Sequence, residues 1–368
     1  MTEQMKILER VLGGWRSLPL AHRVGAVLLA GAAVALAVVL TLAGGPSPLP
    51  VGTGPPAVPT APPGTSAPPG TSSPPAGPGA SGAAVSPLTG LPGGTGRIIA
   101  VKIDNIVNAR PQTGLNAADV VYAIEVEGGI SRFLAVYDSG HLPPGDTVGP
   151  VRSARESDLE LLQQYGRAAF VYSGAQSRFL PVLDRADVLN RSPQQNGSFF
   201  RGTSRPAPYN EYVVPSGILR ASPDAATARD IGFRFGDPPA GGVPADSFTA
   251  RMPAASFTFS WSAATGKYLV ALDGRPARTT DGGQPGAPTV VVQRVDVRPS
   301  PLGLRDSAGH LVPFSPTVGS GEAVVLRDGR AYQGTWSRPG PDTGTTFSYA
   351  GQPMTFHPGQ VWVVLEPR

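Results

Sequence analysis

The 368-residue chain contains no cysteine, which excludes a disulfide framework, thiolate metal ligands and cysteine nucleophiles together. Histidine is nearly as scarce. His22, His141, His310 and His357 lie far apart, without H-x-x-x-H or H-E-x-x-H spacing, so neither a metal site nor a cofactor is expected. Charge is thin, at 15% of residues, and missing altogether from 24 to 96. Of the formal net charge of +4, residues 1–23 supply +2, because Lys6, Arg10, Arg16 and Arg23 face Glu3 and Glu9; only +2 remains for residues 97–368. That balance is too weak for the basic surface of a nucleic-acid binder, and nucleic acid is set aside as a partner. The nucleophile patterns G-x-S-x-G and S-x-x-K are absent as well.

What the chain has in excess is Gly (47) and Pro (42), unevenly placed. From Val24 to Ala43 runs an uninterrupted stretch of Val, Leu, Ala, Gly and one Thr, matching the roughly 20 residues that cross about 30 Å of hydrocarbon as a helix. Basic residues precede it and none follow closely, which places the N-terminus in the cytoplasm. The expectation is a cytoplasmic N-terminus over 1–23, a transmembrane helix over 24–43, and single-pass anchorage in the plasma membrane with the rest extracytoplasmic. Residues 44–85 follow, 22 of 42 being Pro or Gly, with the tandem Ala61-Pro-Pro-Gly-Thr-Ser66 and Ala67-Pro-Pro-Gly-Thr-Ser72. Such a composition cannot bury a core and predicts a disordered stalk.

Residues 86–235 are expected to form a mixed α/β domain. Arg97–Asp104 is a β-branched run bounded by Gly and Asp-Asn, and predicts a strand. Val120–Glu127 and Ser131–Tyr137, separated by Gly128-Gly129-Ile130, predict an antiparallel hairpin. Period-two alternation puts Glu125 and Glu127 side by side on one face. Leu159, Leu161 and Leu162 predict a helix over Glu156–Tyr165, capped by Ser153 or Ser157, with Arg152 and Arg155 at its start. Those cations require a negative partner. It is either internal, from Asp119, Glu125 or Glu127, or a bound carboxylate or phosphate. Gln176–Leu183 and Asp224–Ile231 read as further helices. Residues 250–368 show short β-prone runs, with Asp328-Gly329 as a hairpin turn, and predict a small, mostly antiparallel β domain. The fold class expected is therefore α+β, with one N-terminal transmembrane helix.

The segments Arg110-Pro-Gln-Thr-Gly-Leu115, Ala118-Asp-Val-Val-Tyr122, Glu127-Gly-Gly-Ile-Ser-Arg-Phe133 and Val148-Gly-Pro-Val-Arg-Ser-Ala-Arg155 closely resemble the YerB-like family of bacterial envelope lipoproteins, a domain of unknown function. Gly334-Thr-Trp336 and Pro358-Gly-Gln-Val-Trp362 resemble the family's smaller C-terminal domain. Two departures stand out: there is no lipid-attachment cysteine, and Pro208-Tyr-Asn210 replaces an expected Pro-His-Asn. Tyrosine, with a pKa of about 10, is a poor base at neutral pH. The resemblance implies an envelope location and no established reaction.

Three functions remain open. One is a binding module for an envelope polymer or anionic ligand, at a cleft bounded by Arg132, Arg152, Arg155 and Asn210 with Asp119, Glu125 and Glu127 opposite. A second is a glycan-cleaving hydrolase that uses Glu125 and Glu127. The third is an interaction protein for envelope partners.

Overall fold

The stretches that the sequence marks as β-branched do become strands, and they are buried on both sides. All seven residues of β1 (Ile98–Asp104), all six of β2 (Val120–Glu125) and all eight of β3 (Ser131–Asp138) are buried, so both faces of this sheet carry another layer. The computed structural model describes residues 84–93, 95–306 and 309–368.

Two short strands, β4 (Ala169–Val171) and β5 (Leu189–Arg191), extend the sheet beyond β1 in parallel. Beside them in the chain, β6 (Phe199–Arg201) and β7 (Glu211–Val213) form a separate ribbon. The second half supplies β8 (Ser247–Met252), β9 (Ala255–Ser262) and β10 (Lys267–Leu272), which make a smaller antiparallel sheet. It also supplies β11 (Thr289–Val295), β12 (Gly319–Arg327), β13 (Arg330–Arg338), β14 (Thr346–Tyr349) and β15 (Val361–Pro367), which join the main sheet. Its order is β14-β13-β12-β11-β15-β2-β3-β1-β4-β5. The last strand lies parallel to both β11 and β2 and so joins the two halves of the chain.

Alternation then sorts the core. Val101, Ile103, Phe133 and Trp362 face the smaller sheet, where Phe133 and Phe259 meet the Trp362 ring edge to face at 5.4 and 6.1 Å. Ala100, Tyr122, Leu134 and Val136 face the other layer, which includes α1 (Glu156–Leu162) through Leu161 and Leu162. Both turns expected from glycine are present. Gly128 and Gly129 close the β2–β3 hairpin with φ of 73° and 69°, and Asp328 and Gly329 join β12 to β13 with φ of 52° and 70°.

The expected fold class needs correction. The described residues are mostly β, and their α-helices are short: α1, α2 (Leu180–Arg185) and α3 (Pro215–Arg220) have seven, six and six residues. Apolar stripes predicted more helix than forms because competing backbone partners take the hydrogen bonds. Asp224–Ile231 is not helical: Ala226 O accepts from Ile98 N, and Ala228 N donates to Gly96 O, which ties this segment to the start of β1. The expected 24–43 helix, the 1–23 terminus and residues 44–83 of the expected stalk lie outside the described residues. Among the described residues no helix is long and apolar enough to cross a membrane. All the described residues belong to one compact unit.

Candidate functional site

Where β1 and β3 end, Asp104 stands opposite Arg132 in the register. Lys102, Asp104 and Arg132 share the face that meets α1, by the same alternation that places Ala100 and Leu134 there. The segment leading into α1 is pinned over this face. Arg152 N donates to Lys102 O at 2.8 Å, and Ser173 N donates to Arg152 O at 3.0 Å. Asp158 caps the helix by accepting the Arg155 N–H at 2.7 Å. The cap is thus neither of the expected serines: Ser157 Oγ instead accepts from Ser315 N at 2.9 Å, and the Ser153 backbone carbonyl accepts from Arg132 Nη1 at 2.9 Å.

The result is a cluster of charges rather than an open basic cleft. Arg155 grips Glu127 with two bonds, Nε to Oε1 at 2.6 Å and Nη2 to Oε2 at 2.8 Å. Arg152 Nε lies 3.1 Å from Asp104 Oδ2, and Lys102 Nζ lies 2.5 Å from Asp158 Oδ1, with both of the latter side chains fully buried. Arg132, only 7% exposed, has no carboxylate within ion-pair distance among the described residues, and its buried Nε has no hydrogen-bond partner. Four cations thus face three carboxylates. Burial, followed by the neighbouring Arg155 charge, pushes the Arg132 guanidinium down to about 10. Burial raises the Glu127 carboxyl, but the Arg155 hydrogen bonds and charge outweigh it and hold that group below its ordinary value. Lys102 is lowered by burial, against the opposing pull of Asp158.

Of the seven residues expected at the site, the cluster unites Arg132, Arg152, Arg155 and Glu127. Asn210 stands nearby: Tyr209, the preceding residue, has its ring 5.7 Å from the Arg152 guanidinium, while the Asn210 amide is fixed by Arg201 and Gly202 O. Glu125 is not paired with Glu127. The strand ends at Glu125, the chain turns through Glu127–Gly129, and Glu125 is left facing the smaller-sheet side, buried, with Oε2 unbonded and its pKa raised by desolvation. Asp119 lies at the other end of the hairpin, on the order of 20 Å away over a six-residue strand. There it bonds Asp138 N and His141 Nδ1.

Sequence reasoning missed Lys102, Asp104 and Asp158. A lysine inside the otherwise apolar Ile98–Ile103 run was the available signal, since a buried lysine demands a carboxylate partner. No group of three or more His, Cys, Asp or Glu that could hold a metal occurs among the described residues.

The comparisons with known proteins agree with this architecture. Residues 88–229 match the family described as "Protein of unknown function (DUF3048) N-terminal domain", and residues 248–363 match its C-terminal domain. The chain belongs to the DUF3048 family. It is 37% identical over 128 residues to "Putative lipoprotein YerB" of Bacillus subtilis (strain 168), a match spanning 34% of this chain and 38% of that relative's length. The crystal structure of YerB protein from Bacillus subtilis superposes with a TM-score of 0.65 at 22% identity, over 77% of this chain and 97% of that one, which establishes the shared fold.

The expected single-pass placement in the plasma membrane is corrected at this point. The relative is named a lipoprotein, a protein held by attached lipid rather than by a spanning helix, and no described helix can span. This chain, without cysteine, also has no thiol to carry such a lipid.

Proposed function

We propose that this DUF3048 protein is a non-enzymatic binding module of the cell envelope that holds an anionic group, a carboxylate or phosphate of an envelope polymer or partner, at the Arg132 cluster. The envelope location rests on the lipoprotein name of its relative. The anion preference rests on one observation: Arg132 is buried, carries an unbonded Nε, and is the one cation of four in the cluster without a carboxylate among the described residues. A buried guanidinium with an unused donor is stabilised by any anion that reaches it, and each charge-assisted bond contributes about 1.5–3 kcal/mol. Arg152, whose side chain is 26% exposed, provides the approach from solvent.

The hydrolase alternative loses support from the same geometry. Glu127 is occupied by Arg155, and Glu125 is buried on the smaller-sheet face, whereas glycosidases set two free carboxylates across a scissile bond.

The test is the thermal unfolding of the purified full chain with rising inorganic phosphate. Phosphate is expected to raise the midpoint in the wild type and to lose most of that effect in Arg132→Gln. An equal shift in both proteins, or no shift in the wild type, refutes the reading.

A further inference from the structure

A cavity of about 460 Å³ lies between the segment that follows β1 and the end of β10, lined by Val107, Arg110, Pro111, Gln112 and residues 272–278 except Gly274. Its size falls in the range of small-molecule sites. The Arg110-Pro-Gln112 motif, prominent in the sequence but unused by the anion cluster, forms one wall.

That wall is rigidly held. Arg205 donates to Ala109 O and Pro111 O, both at 2.6 Å, and Gln112 Nε2 donates to Asn105 Oδ1 at 3.0 Å and Asp104 O at 3.2 Å. Thr280 N donates to Gln112 O at 2.8 Å, which locks the wall to the facing segment. The cavity is therefore preformed, which lowers the ordering entropy that a ligand must overcome.

Its lining has two parts. Val107, Pro111, Leu272, Pro276 and Ala277 are apolar, and Val107 is left 63% exposed. Of the charged groups, Arg110 is neutralised by Asp273 at 2.8 Å, while the side chains of Arg275 and Arg278 make no ion pair or hydrogen bond with any described residue. The lining carries three arginines against one aspartate, a surplus of two positive charges beside an apolar wall.

We infer that this cavity binds an anionic amphiphile: a short apolar chain lies against Val107, Pro111, Leu272 and Pro276, and its terminal carboxylate sits between Arg275 and Arg278. Such a ligand matches both halves of the lining, by covering exposed apolar area and by neutralising the two free guanidinium groups. The inference is independent of the Arg132 reading, because no residue is shared.

Calorimetric titration of the purified full chain with decanoate, kept below its micellar range, tests it, with decanol as the neutral counterpart. Decanoate is expected to bind with one site per chain and more tightly than decanol. In Arg275→Ala/Arg278→Ala, which removes no side-chain ion pair or hydrogen bond among the described residues, decanoate affinity falls ~10-fold or more while decanol binding is unchanged. Val107→Ser weakens both ligands, and Arg132→Gln weakens neither. Absence of decanoate binding, equal affinity for decanol, or unaltered decanoate affinity in the double variant overturns the proposal, whatever phosphate does at Arg132.

Discussion

Asp119 provides a quantitative test of how the hairpin packs. Its carboxylate is 3% exposed, accepts Asp138 N at 2.5 Å through Oδ2 and meets His141 Nδ1 at 3.0 Å through Oδ1. Burial raises its pKa from 3.8 to about 6, against the lowering effect of those two partners. The native state therefore holds the Asp119 proton more tightly than the unfolded chain does. Between the two pKa values the folded protein binds more protons, so this group's contribution to stability is present at low pH and is lost as pH rises through about 6. The full difference, about two pH units at about 1.36 kcal/mol each, comes to ~3 kcal/mol. About 1.3 kcal/mol of it should return on acidifying from pH 7 to pH 5, by the same linkage. Asp119→Asn removes the titration while keeping an oxygen for the Asp138 N–H. Urea unfolding of both proteins from about pH 4 to about pH 8 isolates the term, since every other group titrates in both. The wild type should gain on the variant as pH falls. A difference that is flat across the window, or that grows with rising pH, means that Asp119 is not desolvated as the fold requires.

Two further outcomes follow from buried groups. Asp158→Asn leaves the Lys102 ammonium buried without its counter-charge and should lower stability by about 3–5 kcal/mol, whereas Lys102→Met/Asp158→Leu should recover most of that loss in the same urea assay. Trp362→Ala removes a fully buried ring packed on Phe133 and Phe259 and should lower stability by about 3–5 kcal/mol in a single transition, seen alike by far-UV circular dichroism and by fluorescence of the remaining tryptophans.

Strands were legible wherever local composition decides them. Arg97–Asp104 was expected and Ile98–Asp104 is found; the β2–β3 hairpin and the Asp328-Gly329 turn follow from residues within a few positions of each other. The stripe Leu159, Leu161 and Leu162 does give helix, α1 followed by a 3-10 turn at Gln163–Tyr165, whereas Asp224–Ile231 does not, because Gly96 and Ile98 at the start of β1 capture the backbone groups of Ala228 and Ala226 that a helix needs. At the site, residue types were legible and pairings were not. The need for an anion near Arg152 and Arg155 follows from their position, but the groups that answer it differ: Glu127 was anticipated, Asp104 was not, and Asp119 belongs to the far end of the hairpin. Lys102 and Asp158 are 56 residues apart, a separation over which no period or spacing carries information.

The placement of β15 decides what kind of object these elements form. It is inserted between β2 and β11, in parallel with both, so the two halves of the main sheet join only once residues 361–367 are in place. Its Trp362 fills the interface with the smaller sheet, while Gln360, just before it, donates to Leu115 O and Ala118 O beside the start of β2. The other end of the hairpin, which carries Arg132, also meets the second half of the sequence: Ala254 N donates to Gly129 O in the turn, and Ser315 N donates to Ser157 Oγ on α1. The cavity beside Arg110 takes one wall from each half. Trp362 of this strand packs on Phe133 of β3 and Phe259 of β9, so the sheet that carries Arg132 and the smaller sheet that carries Leu272 meet at its ring.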